Sequence, residues 1–189
     1  KKKKNLSGVS LNMPPEFQLS IIKKAFPKKE SIGIFFSGEG NGKLLKYYED
    51  VALKYNMKIV GFPLKSEKEI PMILNSMKFQ PDILMFIPDR IVIKEKLINY
   101  IIKACIIKKI PVIGFNRWFC KNGAVLSFYL DYGDIGIQTG KLSKRLFKTK
   151  SIQSVVEPPK RIRILINIKV ADKFNFELSE YIKKSADVF

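Results

Sequence analysis

Short apolar segments alternate with amphipathic segments along this chain, and this alternation is the strongest constraint on its fold. The amphipathic segments space their apolar residues as one face of a helix does. A strand followed by a helix at a period of roughly 25 residues predicts βαβ units, and hence an α/β fold with three αβα layers around a mostly parallel sheet. The predicted strands are Ile32–Phe36, Met57–Pro63, Asp82–Ile87, Ile110–Phe115 and Ala124–Leu130.

Several helix boundaries are marked by specific residues. The pair Pro14-Pro15 predicts a helix start, because proline is tolerated in the first helical turn. Ser66 and Glu69 have the spacing of a capping box at the start of the next helix. A long helix is predicted over Val92–Lys108.

The C-terminal third has a different pattern. Asp131 or Asp134 can cap a further helix, whose apolar residues fall on one face. The polar stretch Ser151–Lys160 contains two adjacent prolines and is predicted to be a linker or crossing loop. Arg161–Ile168 first alternates and then becomes apolar, which predicts one more strand, followed by short helices.

Composition excludes several classes of function. The net charge of +18 is spread along all 189 residues, which favours a solvated basic surface over a specific nucleic-acid site. Histidine is absent and only two cysteines are present, so we expect no catalytic triad, no disulfide framework and no metal centre. No apolar run reaches the roughly 20 residues of a membrane helix. Lys1–Lys4 are not followed by an apolar region, so we expect no signal peptide in this chain.

Ligands of parallel α/β sheets bind at the carboxyl ends of the strands. This rule selects four loops, Ser37–Gly42, Pro88–Arg90, Asn116–Trp118 and Asp131–Tyr132. The first is a glycine-rich turn expected to expose N–H groups at a helix start near Gly42, where a carboxylate can bind. The candidate ligand-binding residues are Ser37, Glu39, Asn41, Gly42, Asp89, Arg90, Asn116, Asp131 and Tyr132.

Each of these residues also has a purely structural interpretation. The first loop can be only a tight turn. Asp89 can be the N-cap of the following helix, and Arg90 can face water instead of a ligand carboxylate. Trp118 can pack between lobes or offer a face to a ring. Asp131 and Tyr132 can cap a helix or line a cleft.

The glycine-rich loop does not match a phosphate-binding loop. Gly38 and Gly42-Lys43 are one residue too close for that motif, and Leu44 stands where a hydroxyl is needed for magnesium. No residue combines the character of a nucleophile with an adjacent activating base. The sequence therefore predicts a binding protein, not an enzyme, and no cofactor.

The order of several short motifs resembles the ABC transporter substrate-binding family typified by tryptophan- and tyrosine-binding lipoproteins. These are type I periplasmic binding proteins. The similar motifs span essentially the whole chain and comprise Asn5–Ser10, Pro14–Leu19, Ile32–Ile34, the Ser37–Gly42 loop, Ile87–Asp89, Ile110–Gly114, Lys121–Ala124, Asp131–Gly136 and Leu165–Asn167.

This resemblance implies a protein that captures a small molecule, an amino acid or a similar compound, between two lobes and passes it to an ABC permease. It implies a periplasmic or extracytoplasmic location, with a lipid anchor in the full-length protein as one option. The loops matching the family's cleft would supply the binding residues, with a carboxylate at the Gly42 helix start and an ammonium group at the acids.

Family members carry a further lobe before the first of these motifs. The resemblance therefore implies that residues 1–130 are the C-terminal, ligand-binding lobe and that residues 131–189 hold a crossing helix, a strand and terminal helices that would complete the other lobe. The second wall of the cleft would come from a missing-lobe partner or from a homodimer. A ligand-sensing module of a signalling protein and, with less support, a nucleotide-dependent enzyme remain alternatives.

Overall fold

The structure is a computed structural model and describes residues 6–76, 78–149 and 154–189, although the side chain of Glu39 lies outside that description. Lys1–Lys4, Asn5 and the first residues of the predicted linker also lie outside it. In chain order the strands are β1 (Gly8–Val9), β2 (Ser31–Ser37), β3 (Lys58–Leu64), β4 (Ile83–Met85), β5 (Val112–Gly114), β6 (Leu126–Tyr129), β7 (Val156–Glu157), β8 (Arg163–Ile166) and β9 (Asp187–Val188).

The helices fall mainly between strands, as the sequence pattern predicts. Two short 3₁₀ turns, Leu53–Tyr55 and Glu67–Glu69, adjoin α2 and α3. The α-helices are α1 (Pro15–Ala25), α2 (Gly38–Ala52), α3 (Ile70–Asn75), α4 (Glu95–Ile107), α5 (Arg117–Lys121), α6 (Tyr132–Thr149), α7 (Ile168–Lys173) and α8 (Glu180–Ser185).

Seven strands form the main sheet in the order β3-β2-β4-β5-β6-β8-β9. The first five run parallel to one another, whereas β8 runs antiparallel to β6, with Leu126 opposite Ile166. The prediction of an α/β fold with a mostly parallel sheet is confirmed.

Alternate residues of the central strands face opposite layers of the core. Ile83 and Met85 of β4 belong to one cluster with α1, α2 and α8, while Leu84 belongs to a second cluster with α3, α4 and α5. Both clusters are fully buried at these positions. The sheet is therefore covered on both faces, as the three-layer prediction requires, and this explains the continuous apolar runs of its strands.

The C-terminal third is joined to this sheet. β8 lies beside β6, and Ile182 of α8 is buried in the same core cluster as Leu19 of α1. The proposed boundary at residue 130 thus runs between two neighbouring strands of one sheet. α6 is linked to the sheet through its Asp134, which pairs with Arg163 of β8. It contacts β1, and its Arg145 pairs with Glu157 of β7.

Some predicted boundaries differ from the structure. α4 begins at Glu95 instead of Val92, so Asp89 is not its N-cap. α2 begins at Gly38, four residues before the predicted start. The hydroxyl of Ser66 makes no capping bond, and Glu69 instead accepts a hydrogen bond from the Lys65 N–H (3.1 Å). Before α4, the Asp89 side chain accepts a hydrogen bond from the N–H of Ile91 two residues on, a local turn that competes with a helix start there.

Gly114 at the end of β5 provides a test of the packing. A Cβ atom there would lie 2.2 Å from Cβ of Phe119, whose ring is buried against Phe86 and Phe115. We expect Gly114→Ala to lower the free energy of unfolding in urea by about 3 kcal/mol, because the core has no space for the methyl group.

Gly140→Ala on α6 is the matched control, because no atom of the described residues lies within 4 Å of the position that its new methyl group would take. It should leave stability unchanged or raise it by up to about 1 kcal/mol through helix propensity. Equal stability of the two variants would contradict this description of the β5–α5 packing.

Candidate functional site

A cleft of about 1020 Å³ lies at the carboxyl ends of the central strands. Each of the four loops selected from the sequence contributes to its lining, through Asn41, Pro88, Asn116 and Asp131 among others. The cleft is thus placed where the topology of a parallel α/β sheet locates ligands. Its volume is near the upper end of small-molecule pockets.

The lining of the cleft is rich in aromatic and other apolar side chains and carries few charges. Two charged side chains contribute to it within the described part of the chain, Arg117 and Asp131. Amide groups come from Asn12, Gln18, Asn41 and Asn116. The aromatic residues of the lining are Tyr47, Tyr48, Phe86, Phe115, Trp118, Tyr129 and Tyr132. An apolar surface with a few polar groups suits a small organic ligand with a charged end.

The predicted site residues divide into two groups. Asn41, Asn116, Asp131 and Tyr132 line the cleft. The lining does not include Ser37, Gly42, Asp89 or Arg90. The side chain of Glu39 lies outside the described part of the structure. Whether any of them contacts a ligand stays a prediction.

Asp89 is buried behind the cleft and is surrounded by donors. Its Oδ2 accepts hydrogen bonds from the N–H of Ser37 (2.7 Å), the hydroxyl of Ser37 (2.8 Å) and Nδ2 of Asn41 (2.6 Å). Its Oδ1 accepts one from the N–H of Ile91 (2.8 Å). Burial alone would raise the pKa of this carboxyl, but these hydrogen bonds together hold the pKa below its usual value. Asp89 therefore holds the end of β2 and the side chain of Asn41 in place.

The start of α2 explains why Gly42 is outside the lining. Since the helix begins at Gly38, Gly42 lies in its second turn, where N–H groups already have intrahelical acceptors. The N–H of Ser37, which precedes the helix, donates to Asp89. The N–H groups without an intrahelical acceptor are therefore those of the first turn, which begins at Gly38, and not that of Gly42.

Asn116 and Asp131 each cap a helix and line the cleft; for Asp131 the sequence left both roles open. Oδ1 of Asn116 accepts a hydrogen bond from the N–H of Trp118 (3.0 Å) and caps α5, while the residue lines the cleft. Oδ1 of Asp131 accepts hydrogen bonds from the N–H groups of Asp134 (3.3 Å) and Gly133 (2.9 Å) at the start of α6. These bonds lower the pKa of Asp131, so its carboxylate is ionised at the edge of the cleft.

One wall of the cleft was missed by the sequence reasoning. It consists of the segment Leu11–Pro15, Gln18 of α1, and Tyr47 and Tyr48 of α2. The hydroxyl of Tyr48 donates to Oε1 of Gln18, which joins the two helices. The available signal was the Pro14-Pro15 pair, because an extended segment before a helix start runs across the end of the neighbouring strands.

Other kinds of site are not apparent in the described residues. No group of three or more cysteine, aspartate or glutamate side chains within them is arranged to hold a metal ion. Among the same residues, no helix combines the length and the apolar character needed to cross a bilayer.

Replacing Asp89 tests the hydrogen-bond network behind the cleft. We expect Asp89→Asn to lower the free energy of unfolding at pH 7 by about 2 kcal/mol, because an amide NH₂ replaces an acceptor that serves three donors. Asp50→Asn, which removes an exposed ion pair with Lys46 on α2, should change it by less than about 0.5 kcal/mol.

The loss of stability caused by Asp89→Asn should depend on pH. Because the folded-state pKa of Asp89 lies below its unfolded value of about 3.9, the stabilisation is present above pH 4 and is lost as the pH falls through the folded pKa. In urea titrations, the difference in the free energy of unfolding between wild type and Asp89→Asn should therefore become smaller below about pH 4. A constant difference from pH 7 to pH 3 would argue against an ionised, bonded Asp89.

Solved structures show where else this fold occurs. A domain from Streptococcus pneumoniae in complex with L-Trp matches 100% of this chain with a TM-score of 0.76 and 22% identity. A ligand-free substrate binding protein with adhesive properties from Clostridium difficile matches 97% of it with a TM-score of 0.78 and 21% identity. This chain spans 67% of the first structure and 62% of the second.

More distant structures share the fold less closely. A LacI family transcriptional regulator from Bifidobacterium animalis matches 80% of this chain, which covers 60% of the regulator, with a TM-score of 0.55 and 12% identity. At such identities these likenesses establish the fold alone.

The family is established by the sequence itself. Among functionally curated proteins, none has a matching sequence. The sequence model of the ABC transporter substrate binding protein family, however, matches residues 1–189. Because that match extends over the whole sequence, this chain belongs to the ABC transporter substrate binding protein family.

Proposed function

We propose that this chain forms the ligand-capturing lobe of a solute-binding protein that serves an ABC importer. The observation that carries the proposal is the cleft of about 1020 Å³, whose lining combines aromatic side chains with one arginine and one aspartate. Family membership supports the same role. Binding of this kind requires no covalent step, so the proposed protein is not an enzyme.

The proposed ligand is an amino acid with an aromatic or branched side chain. Trp118 and the tyrosines of α2 offer apolar and stacking surface to the ligand's body. The ionised carboxylate of Asp131 offers an ion pair to its ammonium group. The complex of the Streptococcus pneumoniae domain with L-Trp supports a ligand of this type.

Asn41 and Asn116 would orient the polar end of the ligand. Asn41 is held by Asp89 and by the Pro88 carbonyl oxygen (3.3 Å), and Asn116 is fixed by its cap to Trp118. Side chains that are already immobilised lose little conformational entropy when a ligand binds. Ser37 and Asp89 would contribute by holding this arrangement, without contacting the ligand.

The proposal includes partners and a location that follow from the family role. An ABC permease would receive the ligand, and the protein would work outside the cytoplasmic membrane, periplasmic or lipid-anchored. A second lobe or a second copy of the chain would close the cleft from the opposite side, since Tyr132 at its edge is 77% exposed. Closure would remove the bound ligand from water and strengthen its polar contacts.

A nucleotide-dependent enzyme is less well supported. A phosphate cradle needs free N–H groups at the start of its helix, but the N–H of Ser37 donates to Asp89. A buried carboxylate at this position also repels a phosphate. The glycine-rich loop therefore favours a structural role beside the cleft.

Isothermal titration calorimetry tests the proposal directly. On folded protein, at least one of L-tryptophan, L-tyrosine, L-phenylalanine, L-leucine and L-isoleucine should give saturable heat. We expect Asp131→Asn to weaken that binding about tenfold or more, because the amide can still cap α6 but cannot pair with an ammonium group.

Asp172→Asn on the exposed surface of α7 is the matched control and should bind as wild type does. Absence of heat with all five amino acids would contradict the proposed ligand class. Unchanged affinity of Asp131→Asn would contradict the role given to Asp131.

A further inference from the structure

Arg117 is the cationic side chain of the cleft. In the described part of the chain it forms no salt bridge, although after the backbone hydrogen bonds its charge also helps to lower the pKa of Asp131. Within residues 6–76, 78–149 and 154–189, no carboxylate oxygen is within salt-bridge distance of its guanidinium group, and no hydrogen bond from the group is present. Its neighbours Arg161 and Arg163, by contrast, both pair with Asp134. Arg117 thus keeps its hydrogen-bonding capacity for another group.

The guanidinium group is nevertheless held in a defined position. Its Cζ lies 4.8 Å from the ring centroid of Tyr129, a distance typical of a cation–π contact. The Tyr129 ring is itself only 6% exposed, and its hydroxyl donates to Oδ2 of Asp187 in β9 (2.7 Å). A fixed ring beneath a planar guanidinium leaves the N–H groups at its edge available to an acceptor.

Arg117 and Asp131 follow neighbouring strands. Arg117 comes three residues after the end of β5, and Asp131 two residues after the end of β6; these strands pair in parallel with Gly114 opposite Ser127. Both residues line the same cleft. One positive and one negative group are therefore presented side by side, an arrangement complementary to a zwitterion.

We propose that Arg117 binds the carboxylate of the ligand, so that the cleft selects compounds with a free carboxylate beside an ammonium group. The inference rests on the proposed amino-acid ligand and adds the residue that recognises its acid group. It differs from the carboxylate site predicted at Gly42, which lies in the second turn of α2. Tyr129 and Asp187 act as positioning residues for the guanidinium group.

The proposal is tested with a matched pair of probes, L-tryptophan and L-tryptophanamide. The two differ in that a neutral amide replaces the carboxylate, while the ammonium group and the indole ring remain. By calorimetry, wild type should bind L-tryptophan about 10- to 100-fold more tightly than the amide. Arg117→Gln should weaken the binding of L-tryptophan by a similar factor. Its affinity for the amide should stay within about twofold of the wild-type value.

Two further variants sharpen the result. Lys121→Gln removes one positive charge from the exposed end of the same helix and should bind both probes as wild type does. Arg117→Lys keeps the charge but not the planar pair of donors, and should recover only part of the affinity for L-tryptophan. The melting temperature of each variant checks that it is folded.

The outcomes separate this inference from the proposed function. Suppose that wild type binds L-tryptophan and that Arg117→Gln either binds it equally well or binds both probes more weakly by the same factor. Arg117 then does not recognise the carboxylate, and only the inference is overturned. If wild type binds neither probe and none of the five amino acids, the proposed function is overturned as well. Loss of discrimination between the probes, confined to Arg117 variants, is the supporting result.

Discussion

The arrangement of the cleft depends on one buried carboxylate. Asp89 lies after β4, yet it binds the backbone and hydroxyl of Ser37 at the end of β2 and the side chain of Asn41 in α2. These bonds join two neighbouring strand ends and fix the helix start between them. They compensate the desolvation of a group that is 5% exposed, and they do so only while it is ionised. Without them, the end of β2 and the side chain of Asn41 would lose the contacts that fix them beside the cleft.

The cleft is lined by few charged side chains, although the chain as a whole has a net charge of +18. The guanidinium of Arg117 and the carboxylate of Asp131 stand at adjacent strand ends, and most of the remaining lining is aromatic or amide. Exposed lysines elsewhere are screened by salt and carry little specificity. Two charges of opposite sign beside apolar rings act at short range, where the ligand excludes water. In the proposed mode of binding, specificity depends on the placement of these two groups and not on the net charge.

The α/β fold and the position of the cleft could be predicted because both follow from periodicity and from the topology of parallel sheets. The roles of single residues could not. Asp89 and Asn41 appear in the sequence as polar loop residues, and their pairing across 48 positions is a tertiary contact without a local signal. Gly42 suggested a helix start, but the contacts of Ser37 allow α2 to begin at Gly38. Tyr47 and Tyr48 fall within the helix that follows the glycine-rich loop, and their place in the cleft depends on how α1 crosses α2.

Trp118 is the single tryptophan of the chain and lines the cleft, so its indole N–H is a unique reporter of ligand binding. The most direct test of binding in this cleft is to titrate ¹⁵N-labelled protein with unlabelled L-tryptophan and follow that one indole cross-peak by NMR. We expect a saturable shift whose midpoint agrees with calorimetry, accompanied by shifts of the Asn41 and Asn116 side-chain amides. Saturable heat with all three signals unmoved would place the ligand elsewhere and contradict the assignment of the cleft as the binding site.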